Sequence, residues 1–147
     1  MKGFARAYLE EEKKILDNVP LTNLEKVVEF SERAYQSENQ IFVMGNGGSS
    51  STASHFACDI NKGTCGGEKK RFRVICLNDN VPTMLAYAND MSYDDVFVEQ
   101  LKNFLKPDDV VVGISGSGNS KNVVKAIEYA NANRATSVAL TVERSQS

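Results

Sequence analysis

Two short stretches of small residues have the composition of an anion site. The first, 45–52, is Gly-Asn-Gly-Gly-Ser-Ser-Ser-Thr, and the second, 113–120, is Gly-Ile-Ser-Gly-Ser-Gly-Asn-Ser. Each follows a short apolar run and precedes a segment with helical periodicity. In such an arrangement free backbone N–H groups, the helix dipole and serine hydroxyls converge on one point. Because the arrangement occurs twice, we expect a sugar phosphate to bind between the two loops.

The glycine spacing of these loops is not that of a nucleotide site. The first loop lacks the third glycine of a dinucleotide-binding turn. The second lacks the GxxxxGK[ST] pattern, since Lys121 follows Gly118 in the wrong register. The alternative to a phosphate site is a pair of ordinary tight turns whose serines cap the helices that follow.

His55 is the only histidine of the chain, and Asp59 follows it by one helical turn. The apolar positions of this predicted helix recur at helical spacing and are expected to face the sheet: Ala53, Phe56, Ala57 and Ile60. His55, Asp59 and Lys62 then share the opposite face. A His/Asp pair at this spacing can share a metal ion, or the carboxylate can orient the imidazole. The alternative is a solvated helix face, and a functional pair would need groups from a neighbouring subunit.

Two acidic segments follow a predicted helix. Asn89-Asp90 ends the helix, and Asp94-Asp95 comes shortly after it. A carboxylate near a phosphate loop could bind a sugar hydroxyl or act as a base. Equally, Asn89 could cap the helix C-terminus, and Asp94-Asp95 could favour the N-terminus of the next helix.

These residues must be positioned by alternating helices and strands. Helical periodicity predicts helices at 1–18, 22–36, 49–62, 82–89, 93–105 and 119–133, the second opened by a capping box at 22–25. Short apolar runs predict strands at 41–44, 71–77, 109–113 and 136–142. The alternation predicts an α/β fold, a doubly wound three-layer sandwich around a parallel sheet. Ligands in such sheets bind beyond the carboxyl ends of the strands, where both loops would lie.

Composition narrows the class of protein. The chain has 147 residues, enough for one domain, and a formal net charge of −2, which gives no indication of nucleic-acid binding. No apolar run approaches the length of a membrane span, and the charged N-terminus does not resemble a signal peptide. The three cysteines lack metal-site spacing and are expected to be reduced thiols of a cytoplasmic protein.

Four segments together resemble the sugar isomerase (SIS) domain family, particularly its phosphoheptose isomerase branch. They are 45–49, 54–57, 88–90 and 113–120, and they occur in the family's order and at similar separations. The resemblance implies a three-layer α/β fold with a five-stranded parallel sheet. It also implies a homotetramer whose active sites lie between subunits.

The resemblance also implies roles for individual residues. Asn89 and Asp90 would line the sugar, and His55 would be a zinc ligand. Asp59 stands where the isomerases usually carry a glutamate that serves as metal ligand and acid/base. The residues that would hold the phosphate and nearby hydroxyls are Asn46, Gly47, Gly48, Ser49, Ser115, Gly116, Ser117 and Ser120. The implied reaction converts sedoheptulose 7-phosphate to D-glycero-D-manno-heptose 7-phosphate by proton transfer through an enediol.

Two features depart from the family pattern. Asp59 is one methylene shorter than glutamate, and 142–145 replaces a glycine-rich turn. Relatives continue beyond position 147 through a further strand and a helix that carries a glutamine and a histidine of the metal and catalytic site. We therefore expect 1–147 to form a single SIS domain that is incomplete at its C-terminus, and to be unstable or to associate abnormally.

Two other functions remain open at this point. One is a SIS module that binds a phosphosugar without catalysis, or a tetrameric adaptor resembling the DnaA initiator-associating protein. The other is an α/β scaffold whose loops are only turns.

Overall fold

The computed structural model describes residues 2–67 and 70–142, which form a parallel four-stranded sheet covered by helices. The strands are β1 (Gln40–Gly45), β2 (Arg73–Cys76), β3 (Val110–Ile114) and β4 (Thr136–Leu140), in the order β2-β1-β3-β4. All three strand pairs are parallel. The predicted doubly wound α/β fold is thus confirmed. Residues 143–145 of the segment that departs from the family pattern lie outside the described ranges.

The helices begin and end close to the predicted positions. They are α1 (Lys2–Asp17), α2 (Leu21–Ser37), α3 (Gly48–Gly63), α4 (Val81–Asp90), α5 (Val98–Phe104) and α6 (Lys121–Ala132), with a 3-10 turn at Tyr93–Asp95. None of the helices within the described ranges combines the length and apolar character needed to cross a bilayer.

Two predicted helix boundaries are wrong. The capping box does not form, because α2 already begins at Leu21: the N–H groups of Asn23 and Leu24 bond to the carbonyl of Pro20. Thr22 therefore lies within the first turn of the helix. The predicted helix 93–105 is divided into the 3-10 turn and α5, because the Ser92 hydroxyl accepts a bond from the N–H of Asp94 and starts a separate turn.

Alternating residues of the strands supply two separate apolar layers. Phe42, Met44 and Val111 point toward α4, α5 and α6, where they pack with Phe97 and Leu101. The intervening strand residues point to the other face of the sheet and pack against Ala34 of α2 and Ala53 and Ala57 of α3: they are Ile41, Val43, Val110 and Val112. Burial of a strand on both faces explains its continuous apolar sequence.

A side chain occupies the outer edge of β2. The amide of Asn61, on α3, donates to the carbonyl of Val74 at 2.8 Å and accepts from its N–H at 3.1 Å. These two bonds reproduce the pairing that a neighbouring strand would make. The edge of β2 is therefore closed at Val74 by a residue of the same chain.

Candidate functional site

The two Gly/Ser loops lie side by side at the centre of the sheet. The first follows β1 and the second follows β3, and Gly45 is in register with Ile114. The chain leaves β1 toward β2 on one side and returns to β3 on the other. This reversal of strand order creates the crevice in which doubly wound proteins bind their ligands. The structure thus brings together the two loops singled out from the sequence.

A glycine at the end of each strand lets the following helix approach closely. A Cβ atom at Gly45 would lie 2.7 Å from the Cβ of Ser49 and 2.8 Å from its carbonyl oxygen. A Cβ atom at Gly113 would lie 2.7 Å from a methyl group of Val123. Both distances are shorter than van der Waals contact. The two glycines therefore serve helix packing.

The loops present hydrogen-bond donors at the surface of this crevice. Gly47 has a φ of +55°, which glycine adopts readily, and it precedes the first turn of α3. Within the described residues, the N–H groups of Gly47 and Gly48 donate no hydrogen bond. The hydroxyls of Ser115 and Ser120 lie 3.0 Å apart and share a bond, and Ser117 Oγ accepts from the N–H of Asn119.

Asn46 joins the first loop to the second helix that borders the crevice. Its Nδ2 donates to Asn122 Oδ1 at 2.9 Å, and Asn122 Nδ2 donates back to Asn46 Oδ1 at 3.0 Å. The hydroxyl of Tyr93 donates to the same Oδ1 at 2.9 Å. Asn122 is only 2% exposed. The predicted ligand Asn46 is therefore also the centre of a hydrogen-bonded cluster that spans three elements.

Asn78, Tyr93 and Asn122 also contact the first loop, although the sequence did not predict a role for them. Asn78, after β2, accepts from the N–H of Gly45 at 3.1 Å and donates to its carbonyl at 2.8 Å. It therefore fixes the start of the first loop. Two signals in the sequence could have indicated two of these residues. Asn78 is a polar residue just after a strand, and Asn122 is an asparagine in the first turn of a helix.

Asn89 and Asp90 end α4, as predicted, and both are exposed. Asn89 Nδ2 donates to Asp90 Oδ1 at 2.8 Å, and neither side chain bonds to the loops within the described residues. Asp94 and Asp95 face α6, where they form ion pairs of 3.9 Å with Lys121 and 2.9 Å with Lys125. The hydrogen bond that Lys125 donates to the Asp95 carboxylate raises the pKa of Lys125. The second acidic pair therefore attaches the 3-10 turn to α6.

His55 and Asp59 lie together on the outer face of α3. Nε2 of His55 is 3.0 Å from Oδ2 of Asp59, and the two side chains are 77% and 64% exposed. The predicted geometry of the pair is therefore present, and it points away from the core. Because an α-helix rises about 1.5 Å per residue, Asp59 lies about 16 Å along α3 from Gly48.

The described residues do not complete a zinc site. His55 and Asp59 provide two donors, whereas protein zinc sites use three or four protein ligands. No group of three or more His, Cys, Asp and Glu side chains with metal-binding geometry occurs in 2–67 and 70–142. The donor set of the described residues in one chain does not fit zinc.

An open groove of about 630 Å³ lies elsewhere, between α3 and β2. Its lining includes Cys58, Cys76 and Asp79, and none of the residues predicted to bind a ligand or metal. Cys58 is exposed and Cys76 is buried, and both are free thiols. Burial raises the pKa of Cys76 to about 11.

Comparison with known proteins agrees with this architecture. The SIS domain family matches residues 7–142. The probable phosphoheptose isomerase of Thermoplasma acidophilum is 43% identical over 86% of this chain and 69% of its own length. That of Thermoplasma volcanium is 40% identical over 84% of this chain and 62% of its own length. The structure of phosphoheptose isomerase from Neisseria gonorrhoeae superposes with a TM-score of 0.84 and 27% identity, covering 95% of this chain and 73% of that one.

The chain spans about two thirds of the length of the two Thermoplasma relatives, 69% and 62%. The family match and the fold cover the same segments: both Gly/Ser loops, α3 and the end of α4 lie within residues 7–142. The chain therefore belongs to the SIS domain family, and its homologues are enzymes, the aldose–ketose isomerases of the phosphoheptose isomerase type.

Proposed function

We propose that this chain forms the phosphate-binding part of an isomerase that converts sedoheptulose 7-phosphate to D-glycero-D-manno-heptose 7-phosphate. The observation that carries the proposal is the pairing of two Gly/Ser loops at the point where the strand order reverses. The donors of Gly47, Gly48, Ser49, Ser115, Gly116, Ser117 and Ser120 surround the phosphate, and Asn46 adds its amide. Asn89 and Asp90 contact the sugar hydroxyls.

Asp59 is the proposed acid/base. It removes a proton from C1 of the ketose and returns it to C2, and the hydroxyl proton of O1 passes to O2, so that the intermediate enediol becomes the aldose. His55, at 3.0 Å, holds the carboxylate in place. About 16 Å of helix separates the backbone of Asp59 from Gly48 of its own chain, and the Asp59 side chain is 64% exposed on the outer face of α3. The carboxylate that serves one phosphate site therefore comes from a neighbouring subunit.

This geometry requires a homo-oligomer, and we propose a tetramer located in the cytoplasm. Apolar side chains on α1 and α2 support association, since Phe4, Leu16 and Leu21 are 77%, 69% and 66% exposed. Zinc, if it takes part, binds between subunits, because the described part of one chain brings together only His55 and Asp59 as donors.

The test is an isomerisation assay with sedoheptulose 7-phosphate, with and without added zinc. We expect turnover by the wild-type chain and a loss of at least about 100-fold in Asp59→Asn, the range that general acid–base catalysis contributes. Asp108→Asn is the matched control, because Asp108 is exposed and lies before β3, at the opposite end of the sheet. Equal activity of Asp59→Asn and wild type would exclude this mechanism.

The incomplete donor set favours one other candidate, a phosphosugar-binding module without catalysis. It predicts saturable binding of sedoheptulose 7-phosphate with no product under any metal condition. Loss of turnover in both His55→Ala and Asp59→Asn, with binding retained, would exclude this module.

A further inference from the structure

We propose that Asn122 is a positioning residue that fixes the amide of Asn46 so that it offers a donor, and no acceptor, to the bound phosphate. This inference rests on the proposed phosphate site and adds a residue that determines how the site recognises an anion. The orientations of the two amides are set in two steps. A backbone N–H group determines the orientation of the Asn122 amide, and the Asn122 amide then determines the orientation of the Asn46 amide.

The N–H of Val123 can only donate, and it donates to Asn122 Oδ1 at 2.9 Å. The orientation of the Asn122 amide is therefore fixed, because a rotated amide would place its NH2 group against the N–H of Val123. Asn122 is also 2% exposed, so water cannot compensate for the reversed orientation.

The fixed amide of Asn122 then determines that of Asn46. Oδ1 of Asn122 requires a donor, and Nδ2 of Asn46 lies 2.9 Å from it. Nδ2 of Asn122 requires an acceptor, and Oδ1 of Asn46 lies 3.0 Å from it. Reversing the Asn46 amide alone would place its NH2 group against the NH2 group of Asn122, and its oxygen against the oxygen of Asn122.

Tyr93 uses the remaining acceptor capacity of Asn46. Its hydroxyl donates to Oδ1 at 2.9 Å, so this oxygen has two donors for its two lone pairs. Nδ2 has used one of its two hydrogens. Among the described residues, one N–H of Nδ2 is the part of the Asn46 side chain left without a partner, which suits a phosphate, whose oxygens accept.

The first measurement is the affinity for inorganic phosphate in a double-mutant cycle, made by titration of the full chain. We expect Asn46→Ala and Asn122→Ala each to weaken binding about tenfold, as loss of a hydrogen bond to a charged group does. The double variant should bind no more weakly than either single variant, because both changes remove the same donor. Asn131→Ala, on the exposed part of α6, is the control and should bind as the wild type does.

Asn122→Asp and Tyr93→Phe keep the test decisive if Asn122→Ala fails to fold. The aspartate accepts from Val123 but cannot donate to Asn46, so phosphate binding should weaken, whereas Asn131→Asp adds the same charge to α6 without effect. Tyr93→Phe should weaken binding less, and its control is Tyr87→Phe, whose hydroxyl bonds to Asn103. Wild-type affinity in both Asn122→Ala and Asn122→Asp would overturn the proposal, as would additive losses in the cycle.

Turnover separates this inference from the proposed reaction. Asn122→Ala should raise KM for sedoheptulose 7-phosphate and leave kcat unchanged, because it acts on the phosphate and not on the reacting carbons. Phosphate binding with a coupled cycle but no isomerisation would sustain the role of Asn122 and refute the reaction. Isomerisation with an uncoupled cycle would do the opposite, and a wild-type chain that binds no phosphate would refute both.

Discussion

At the scale of single residues, Gly45 and Gly113 lie near the carboxyl ends of neighbouring strands, out of register by one residue, and face opposite sides of the sheet. Each is the point at which a helix comes so close to the strand that a methyl group would overlap it. Their presence in both Gly/Ser loops could be read from the sequence, but their role could not. The sequence indicated an anion site in each loop, whereas the contacts show that these two glycines allow close approach of a helix.

We expect Gly45→Ala to lower the free energy of unfolding by about 1–3 kcal/mol, the usual cost of overpacking. The added methyl group would meet the backbone of Ser49, which cannot move without shifting α3. Gly116→Ala is the control, because nothing lies within 4 Å of its Cβ position and its φ is not positive. Urea unfolding of both variants measures the difference, and equal stability would show that α3 accommodates the methyl group.

Because of Cys76, the free energy of unfolding should depend on pH in the alkaline range. Burial raises the pKa of this thiol from 9.0 to about 11 in the folded chain. Between these values the unfolded chain loses the proton and the folded chain keeps it, so stability should be complete below about pH 9 and fall as the pH rises toward 11. Thermal unfolding across this range measures the effect. Cys76→Ala should show a shallower decline, and an identical decline would assign the pH dependence to other groups.

At the scale of elements, predictability follows the strength of periodicity. The strand after Gln40 could be predicted because it is buried on both faces and is therefore continuously apolar. The helix after Gly47 could be predicted because it is buried on one face, so its apolar residues recur at helical spacing. The break between the 3-10 turn and α5 could not, because Val96 and Phe97 are buried and apolar in a way that also fits a continuous helix. The start of α2 was misplaced because a capping box is a local signal, and the helix began at Leu21 without it.

The two hydrogen bonds of Asn61 to Val74 should stabilise the edge of β2. Asn61→Ala should cost about 1 kcal/mol of unfolding free energy per hydrogen bond lost, and it should expose the N–H and carbonyl of Val74. An exposed strand edge promotes pairing with other chains. Light scattering should therefore show more self-association than for wild type, with Lys62→Ala as the control on the same exposed turn. Unchanged scattering would mean that other groups protect the β2 edge.

At the scale of the whole molecule, the sequence predicted that the two loops are adjacent. It did not predict the hydrogen-bonded cluster of Asn46, Tyr93 and Asn122. Parallel strands place their carboxyl ends at one edge of the sheet, so the neighbouring positions of 45–52 and 113–120 follow from topology. The bonds of Asn46 reach residues 76 and 47 positions away, and such pairings depend on the packing of three elements. The metal and catalytic roles of His55 and Asp59 stay predictions.

A composite site between subunits should permit complementation. Asp59→Asn and a variant that lacks the hydroxyls of Ser115 and Ser120 should each be inactive alone. After unfolding and refolding together in equal amounts, about a quarter of the sites combine an intact loop pair with an intact Asp59 from another subunit. The isomerase assay should recover a corresponding fraction of wild-type activity. No recovery, with mixed oligomers present, would place Asp59 and the loops of one chain in the same site.

The amide of Asn61 also gives the sheet a direction of growth. Because β2 is closed at Val74 by a residue of its own chain, a further strand from any source meets resistance on that side. At the outer edge of β4, where Leu140 is 47% exposed, no side chain of the described residues forms such a pair of bonds with the strand backbone. The sheet is therefore asymmetric, terminated at one border and extendable at the other.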